Sequence, residues 1–336
     1  MMRCAAIVLA ALVGVSDASG TQAPGTQAPA ARPPAPPPGT DIYLVPLTDG
    51  LASLESARPV AVSVAPGYDN QPNFSPDGSR ILFAANRDGK QIDIYAFDRG
   101  TNRVTQLTQT PENENSPTFV PSGAGPAGSF GVVQSEFDKN GNRPTPAIQR
   151  LWRFNAEGRS PSLILATVDP VGYHAWIDND RLVLFVLGAQ GKPATLQIAS
   201  VKTGKAEVVT AGVGRSLHRI PETQLASFVH REGDDYTVKQ IDITSKKIDP
   251  LVKAVAGSSD RDMAWMPDGK TMLMSSGTKI FAWPRLPSGA SSKEGGANGW
   301  TEVFDASAHR LGAVTRLAVS PKGDALAIVV AEPVRK

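Results

Sequence analysis

A single cysteine in 336 residues excludes an intrachain disulfide and a thiolate zinc cluster. Long apolar stretches are equally scarce. The longest, Ala5 to Val15, holds eleven uncharged residues, too few to span a bilayer comfortably. Charge of one sign is missing too: Lys plus Arg total 34, Asp plus Glu 32, and no dense basic run occurs. That balance excludes a nucleic-acid partner held by bulk electrostatics. No Gly-x-Ser-x-Gly elbow, phosphate-binding loop or dinucleotide fingerprint is present, so the usual serine-hydrolase and nucleotide chemistries lack their motifs.

What is abundant is turn chemistry. Gly (31) and Pro (28) are enriched without a collagen period, while 41% of residues are hydrophobic, enough to exclude global disorder. These proportions predict a turn-rich, all-β protein. At the N-terminus, Arg3, the apolar run and the small residues around Ser16 to Gly20 read as a signal peptide over residues 1–20. Retention of this segment as an anchor is the alternative. Cys4 precedes the apolar run, so there is no lipobox. Residues 21–39, with seven prolines and five alanines, read as a disordered linker. The expected location is periplasmic or secreted.

From residue 40 onwards one unit recurs. Its clearest copy is Pro72-Asn73-Phe74-Ser75-Pro76-Asp77-Gly78, followed by Ile81-Leu82-Phe83, Arg87-Asp88-Gly89, Ile92 to Asp98 and Val104 to Thr108. Pro presets φ, Ser and Asp bond backbone amides, and Gly takes positive φ, so each copy predicts short strands joined by tight turns. Anchors fall at Phe74, Phe119, Trp176, Ile220, Trp265 and Val319, in steps of 45, 57, 44, 45 and 54. A period near 45 suits four-stranded propeller blades, and the long steps carry insertions at Asn140 to Gln149 and Pro287 to Gly299. The last copy has room for two strands only; Asp41 to Leu47 and Pro59 to Val64 are expected to complete it and close the ring. The expected domain is thus a six-bladed β-propeller over 40–336.

This motif, with Ile94-Tyr95 and Leu107-Thr108 completing it, resembles the WD-like repeat of TolB-type β-propellers. The resemblance covers roughly residues 41 to 333, with close matches in copies one and five. It implies a propeller fold and a periplasmic location; the family's best-known member also binds an envelope lipoprotein and carries an α/β domain before its propeller, a domain that this chain is expected to lack. Related propellers also gate prolyl-oligopeptidase-like proteases or act as polysaccharide lyases.

Candidate binding residues come from aligning the copies. His174 and His218 each stand two residues before an anchor, in the slot of Pro72 and Pro117. His230, Arg87 and Glu136 follow second strands, and Asn115 and Arg261 lie in segments entering first strands. Gathered on one axial rim, these seven would form a polar funnel. The competing reading packs each histidine between blades. Two convergent histidines fall short of a metal site, so no cofactor is expected. Asp138 to Asn142 resembles a calcium loop, but its Gly is misplaced, and a hairpin tip is the simpler reading. The reading adopted is a monomeric, non-catalytic scaffold that binds a protein, peptidoglycan-associated partner, glycan or small molecule at the axial face. A carbohydrate-active enzyme of lyase or hydrolase type, metal- or His-dependent and using the funnel, is the alternative, as is a membrane-tethered sensor. The Trp283 and Trp300 side chains flanking the second insertion are candidates for an exposed hot spot or for cover over a blade edge.

Overall fold

The computed structural model describes residues 38–332 except 146, 190, 259–260 and 286–298, so the signal segment and nearly all of the linker lie outside the described residues. Strands dominate it. Thr40–Pro46 (β1), Thr48–Leu51 (β2) and Val60–Ser63 (β3) come first. Four-stranded antiparallel groups follow in sequence order. The first is Tyr68–Phe74 (β4), Arg80–Asn86 (β5), Asp93–Asp98 (β6) and Arg103–Gln106 (β7). Next come Asn113–Phe119 (β8), Phe130–Glu136 (β9), Ile148–Phe154 (β10) and Ser162–Leu165 (β11). The third comprises Val171–Trp176 (β12), Arg181–Val186 (β13), Thr195–Ser200 (β14) and Lys205–Ala211 (β15). The fourth comprises Val213–Arg219 (β16), Leu225–Glu232 (β17), Asp235–Asp242 (β18) and Ile248–Lys253 (β19). Met263–Trp265 (β20), Thr271–Ser276 (β21), Lys279–Pro284 (β22) and Thr301–Asp305 (β23) make the fifth. Val314–Val319 (β24) and Ala325–Ala331 (β25) end the described chain and pair on through β1 to β3. Among the described residues no helix is long and apolar enough to cross a membrane.

Local chemistry explains the turns between first and second strands. In Ser75 to Ser79, the Ser75 hydroxyl donates to Asp77 at 2.6 Å and the Ser79 amide to the same carboxylate at 3.1 Å. Gly78 closes the turn at φ +70°, and a Cβ there would sit 3.1 Å from the Ser320 hydroxyl. Gly269 occupies the equivalent place at φ +65°, where a Cβ would meet the Pro221 carbonyl oxygen at 2.5 Å. Glycine is needed at both for conformation and for close approach to a neighbouring sheet.

Packing follows from strands buried on both faces. Along β5, Ile81, Phe83 and Ala85 join Ile42, Ala327 and Val329 in one cluster, while Leu82 and Ala84 join Phe130, Val132 and Phe154 in another. Strand β13 divides in the same way: Leu182 and Leu184 pack with Val133 and Leu151, Val183 and Phe185 with Phe228 and Ile241. So does β21, where Met272 and Met274 meet Val229 and Val238, and Leu273 meets Leu326 and Ile328. Each sheet is thus the wall between two cores. Burying one such large side chain is worth about 1.5–3 kcal/mol.

The Trp283 and Trp300 rings lie in this packing, 8% and 7% exposed, with centroids 6.5 Å apart. The Trp300 indole donates to the Lys253 carbonyl at 2.9 Å, tying the fifth sheet to the fourth. Both rings are buried in the packing between sheets, so neither is an exposed hot spot. Asp138 to Asn142 forms a turn: the Asp138 carboxylate accepts from the Asn140 and Asn142 amides at 2.8 and 2.9 Å.

Candidate functional site

The first strand of each sheet lies beside the first strand of the next: β4 by β8, β8 by β12, β12 by β16, β16 by β20, β20 by β24 and β24 by β4. Most of these strands carry a bulge, between Asn70 and Asn73, Asn115 and Thr118, Val171 and Tyr173, Val213 and Leu217, and Val314 and Arg316. A bulge leaves a residue out of the ladder and re-aims its side chain. Gln71 and Ser116 adopt left-handed φ of 60° and 53° there, and the Ser116 amide donates to the Gln71 side-chain oxygen at 2.6 Å. Further bridges link neighbouring first strands. The Phe119 amide donates to Asn73 at 3.2 Å, the Met263 amide to the Ser216 hydroxyl at 3.0 Å, and the Leu317 amide to Asp262 at 2.8 Å. Strain of about 1–3 kcal/mol per left-handed residue is offset by these contacts.

The first strands enclose a cavity of about 340 Å³. Its wall is aromatic at Phe74, Phe119 and Trp176 and polar at Arg215, His218, Asp262 and Arg316. Arg316 is 9% exposed. Its Nη2 donates to the Tyr173 hydroxyl at 2.7 Å, the guanidinium lies 5.0 Å from that ring's centre, and Nη1 is 3.6 Å from Asp262. Burial weakens the arginine's hold on its proton, but Tyr173, Asp262 and Tyr68 outweigh it and leave the charge more secure than in water. Burial likewise pushes the Tyr68 hydroxyl up to about 12, against the opposing pull of Arg316 and Arg215.

Two of the seven residues singled out from sequence, His174 and His218, line this cavity. His174 is 5% exposed, and its Nε2 is 2.5 Å from the Thr118 hydroxyl on the preceding sheet. Burial depresses its pKa to about 3, so it is neutral throughout the physiological range. Burial also lowers His218, with Asp262 opposing the shift. Arg261 lines a second cavity, about 450 Å³, with Arg215, Arg231 and Tyr236, and its guanidinium stacks 3.3 Å from the Tyr236 ring centre. The other four lie outside both cavities. Arg87 pairs with Asp69 at 3.0 Å, and Glu136 accepts from Arg150 at 2.8 Å and the Trp152 indole at 2.7 Å. The His230 Nε2 is 3.0 Å from the Ala211 carbonyl, and Asn115 is half-buried on β8. The first cavity extends along the later parts of the first strands to Pro76, toward the Ser-Pro-Asp-Gly turn and away from the loops expected to form the rim.

Sequence reasoning passed over Tyr173, Asp262 and Arg316, although a signal existed. Each stands three residues before an anchor, Trp176, Trp265 and Val319, one place ahead of the slot that marked the histidines. Gln71 and Ser116 hold the same place in the first two copies. The two histidines should separate by experiment. His174→Ala removes a buried ring and strands the Thr118 hydroxyl, at a cost of about 1–3 kcal/mol by urea titration. His218→Ala, at a half-buried wall position where the ring nitrogen lies 3.4 Å from the Ser216 hydroxyl, should cost less, under about 1 kcal/mol. Equal losses would place both rings in the inter-sheet packing.

No protein-family model matches the chain. Solved structures do. The putative TolB from Agrobacterium tumefaciens aligns with a TM-score of 0.63 at 16% identity, over 89% of this chain and 100% of that one. TolB from Acinetobacter baumannii aligns at 0.53 and 15%, over 88% of this chain and 64% of that one. A protein of unknown function from Bacteroides thetaiotaomicron gives 0.51 and 10%, over 87% and 76%. At such identities the likeness is one of architecture: by fold, this chain is a TolB-like β-propeller.

Proposed function

We propose that the chain is an exported, non-catalytic scaffold of the cell envelope, a six-bladed propeller that receives a partner or ligand in its axial cavity. The observation carrying this reading is the chemistry of that cavity. His174 is held neutral by burial, Asp262 is engaged by Leu317 and Arg316, and Arg316 keeps its charge, so the wall is suited to recognition. The shared cores between successive sheets and the β24-β25-β1-β3 pairing support the six-blade, end-closed architecture. The short apolar run before the linker supports export.

The test uses the full chain expressed with its own leader. A photo-crosslinking residue at Phe119, in the cavity wall, should capture an envelope partner or ligand, whereas the same residue at Val104, exposed on β7, should not. Equal yields at both positions, or none from the cavity, would overturn the reading. N-terminal sequencing of the exported protein should begin near Ser19 or Thr21; a retained Met1 would make it an anchored protein instead.

A further inference from the structure

Resting on the reading of the axial cavity as the binding site, we propose that it is a carboxylate site, in which Arg316 takes the acid group of a ligand and the Phe74, Phe119 and Trp176 wall takes an apolar group beside it. Charge is the first argument. Among the described lining residues Arg316 is the buried arginine, and Asp262 is the one acid. The lining histidines do not add to this, since burial keeps His174 neutral and lowers His218. The Arg316 cation is thus set inside a concavity, where low-dielectric walls strengthen its pull on an anion.

The unspent capacity of Arg316 is the second. A guanidinium carries five N–H donors in a rigid fork. Among the described residues this one makes a single hydrogen bond, to the Tyr173 hydroxyl at 2.7 Å. Asp262 neutralises charge at 3.6 Å, beyond hydrogen-bond length, and its other oxygen is held by the Leu317 amide at 2.8 Å. The remaining donors are free for a guest, and a carboxylate accepts two in parallel. Tyr173 holds the fork through its hydroxyl, with its ring centre 5.0 Å from the guanidinium carbon, so the guest need not order it.

The opposite wall identifies what accompanies the acid. Phe74 is 7% exposed and Phe119 and Trp176 are half-buried, giving an aromatic surface within a volume that suits a small group. Two polar atoms in the same lining, His174 Nδ1 and the Trp176 indole nitrogen, are buried without a hydrogen-bond partner among the described residues. Asp262 beside Arg316 disfavours a dianion such as phosphate. A peptide ending in an apolar residue and a free aromatic acid share the chemistry that fits.

Calorimetric titration of the exported, full-length protein tests this with four probes: N-acetyl-Ala-Phe with a free C-terminus, its C-terminal amide, 3-phenylpropionate and inorganic phosphate. The free-acid peptide should bind at least about tenfold more tightly than the amide, and phosphate should neither bind comparably nor compete. Binding of phenylpropionate as tightly as the peptide acid would assign the site to small acids; a clear peptide preference would assign it to chain ends. Tyr173→Phe should weaken acid binding several-fold while keeping the thermal midpoint close to wild type, and Arg316→Gln, which removes the charge, should abolish the acid-over-amide preference. Equal affinity for acid and amide in the wild type, phosphate binding as tight as the acid, or no acid binding at millimolar concentration would each overturn the inference. Because the acid–amide comparison needs no variant, misfolding of an Arg316 mutant does not blunt it. Cavity-specific crosslinking with equal acid and amide affinities would retain the scaffold reading and remove only the carboxylate.

Discussion

Deleting residues 41–65 should abolish cooperative unfolding and send the protein into aggregates. Strand β1 pairs with β25 through seven consecutive positions, from Thr40 opposite Ala331 to Pro46 opposite Ala325, and β3 continues the sheet beyond it. The deleted stretch contributes Ile42 and Val62 to one core and Val45, Leu47 and Leu54 to the next. All five are less than 7% exposed. At about 1.5–3 kcal/mol each, their loss approaches roughly 10 kcal/mol, which matches the whole stability of about 5–15 kcal/mol expected of a domain. The deletion also bares the edge of β25, whose Ala325 to Val330 is apolar throughout and has the composition of an aggregating strand. Removing residues 21–37 should change nothing measurable, since the proline-rich stretch has no apolar periodicity with which to build a core. Denaturant titration and light scattering on the two truncations decide the matter. A cooperative, soluble 41–65 deletion would mean that the terminal strands decorate the last sheet without sustaining it.

The parts of this architecture that were legible in the sequence are those set by local chemistry. Ser-Pro-Asp-Gly encodes its turn in four adjacent residues, and the apolar anchors recur at or beside the ends of the first strands. What escaped depends on contacts across the chain. Bulges at Gln71 and Ser116 occur in unremarkable polar strands, and positive φ at a glutamine or serine has no sequence mark. Arg316 reads as an ordinary strand residue until Tyr173, 143 positions away in the chain, is seen to hold it. The four predicted site residues outside both cavities failed to converge with the histidines for a related reason. Repeat alignment places Arg87 and Glu136 at equivalent loop starts, but each is drawn to a local partner, Asp69 or Arg150, instead of to the axis. Glu114 is the extreme case. It stands in a polar stretch at the start of β8, yet it is fully buried.

Replacing Glu114 by Gln should make the protein progressively more stable than wild type as pH rises. Glu114 lies on β8 against Asp93 of β6, and its oxygens accept from the Thr108 hydroxyl at 3.0 Å and from the Thr110 hydroxyl. Gln134 approaches from β9 and reaches both Glu114 and Glu112, while Gln91 and Gln106 hold Asp93. Burial pushes the Glu114 carboxyl up to about 8, the charge of Asp93 adding to it and the two threonine hydroxyls opposing; burial raises Asp93 as well. Two such carboxyls in contact titrate as a pair that prefers to share one proton. Since the folded value lies above the ordinary 4.5, the folded protein binds the extra proton. Its stabilising contribution is therefore complete below about pH 4.5 and lost between there and about pH 8. One proton corresponds to about 1.4 kcal/mol per pH unit across that window. Glutamine mimics the protonated acid, with an amide to donate to Asp93 and a carbonyl to accept from threonine, and it does not titrate. Urea titrations at pH 5.5 and pH 8 should show the variant near wild type at the lower value and more stable by roughly 2–3 kcal/mol at the higher. Asp69, raised to about 6 chiefly by burial, would leave both proteins a common residual slope of the same sign. Parallel pH profiles for variant and wild type would mean that Glu114 is ionised in the folded protein, stabilised by the hydroxyls around it despite the absence of a cation among the groups named here.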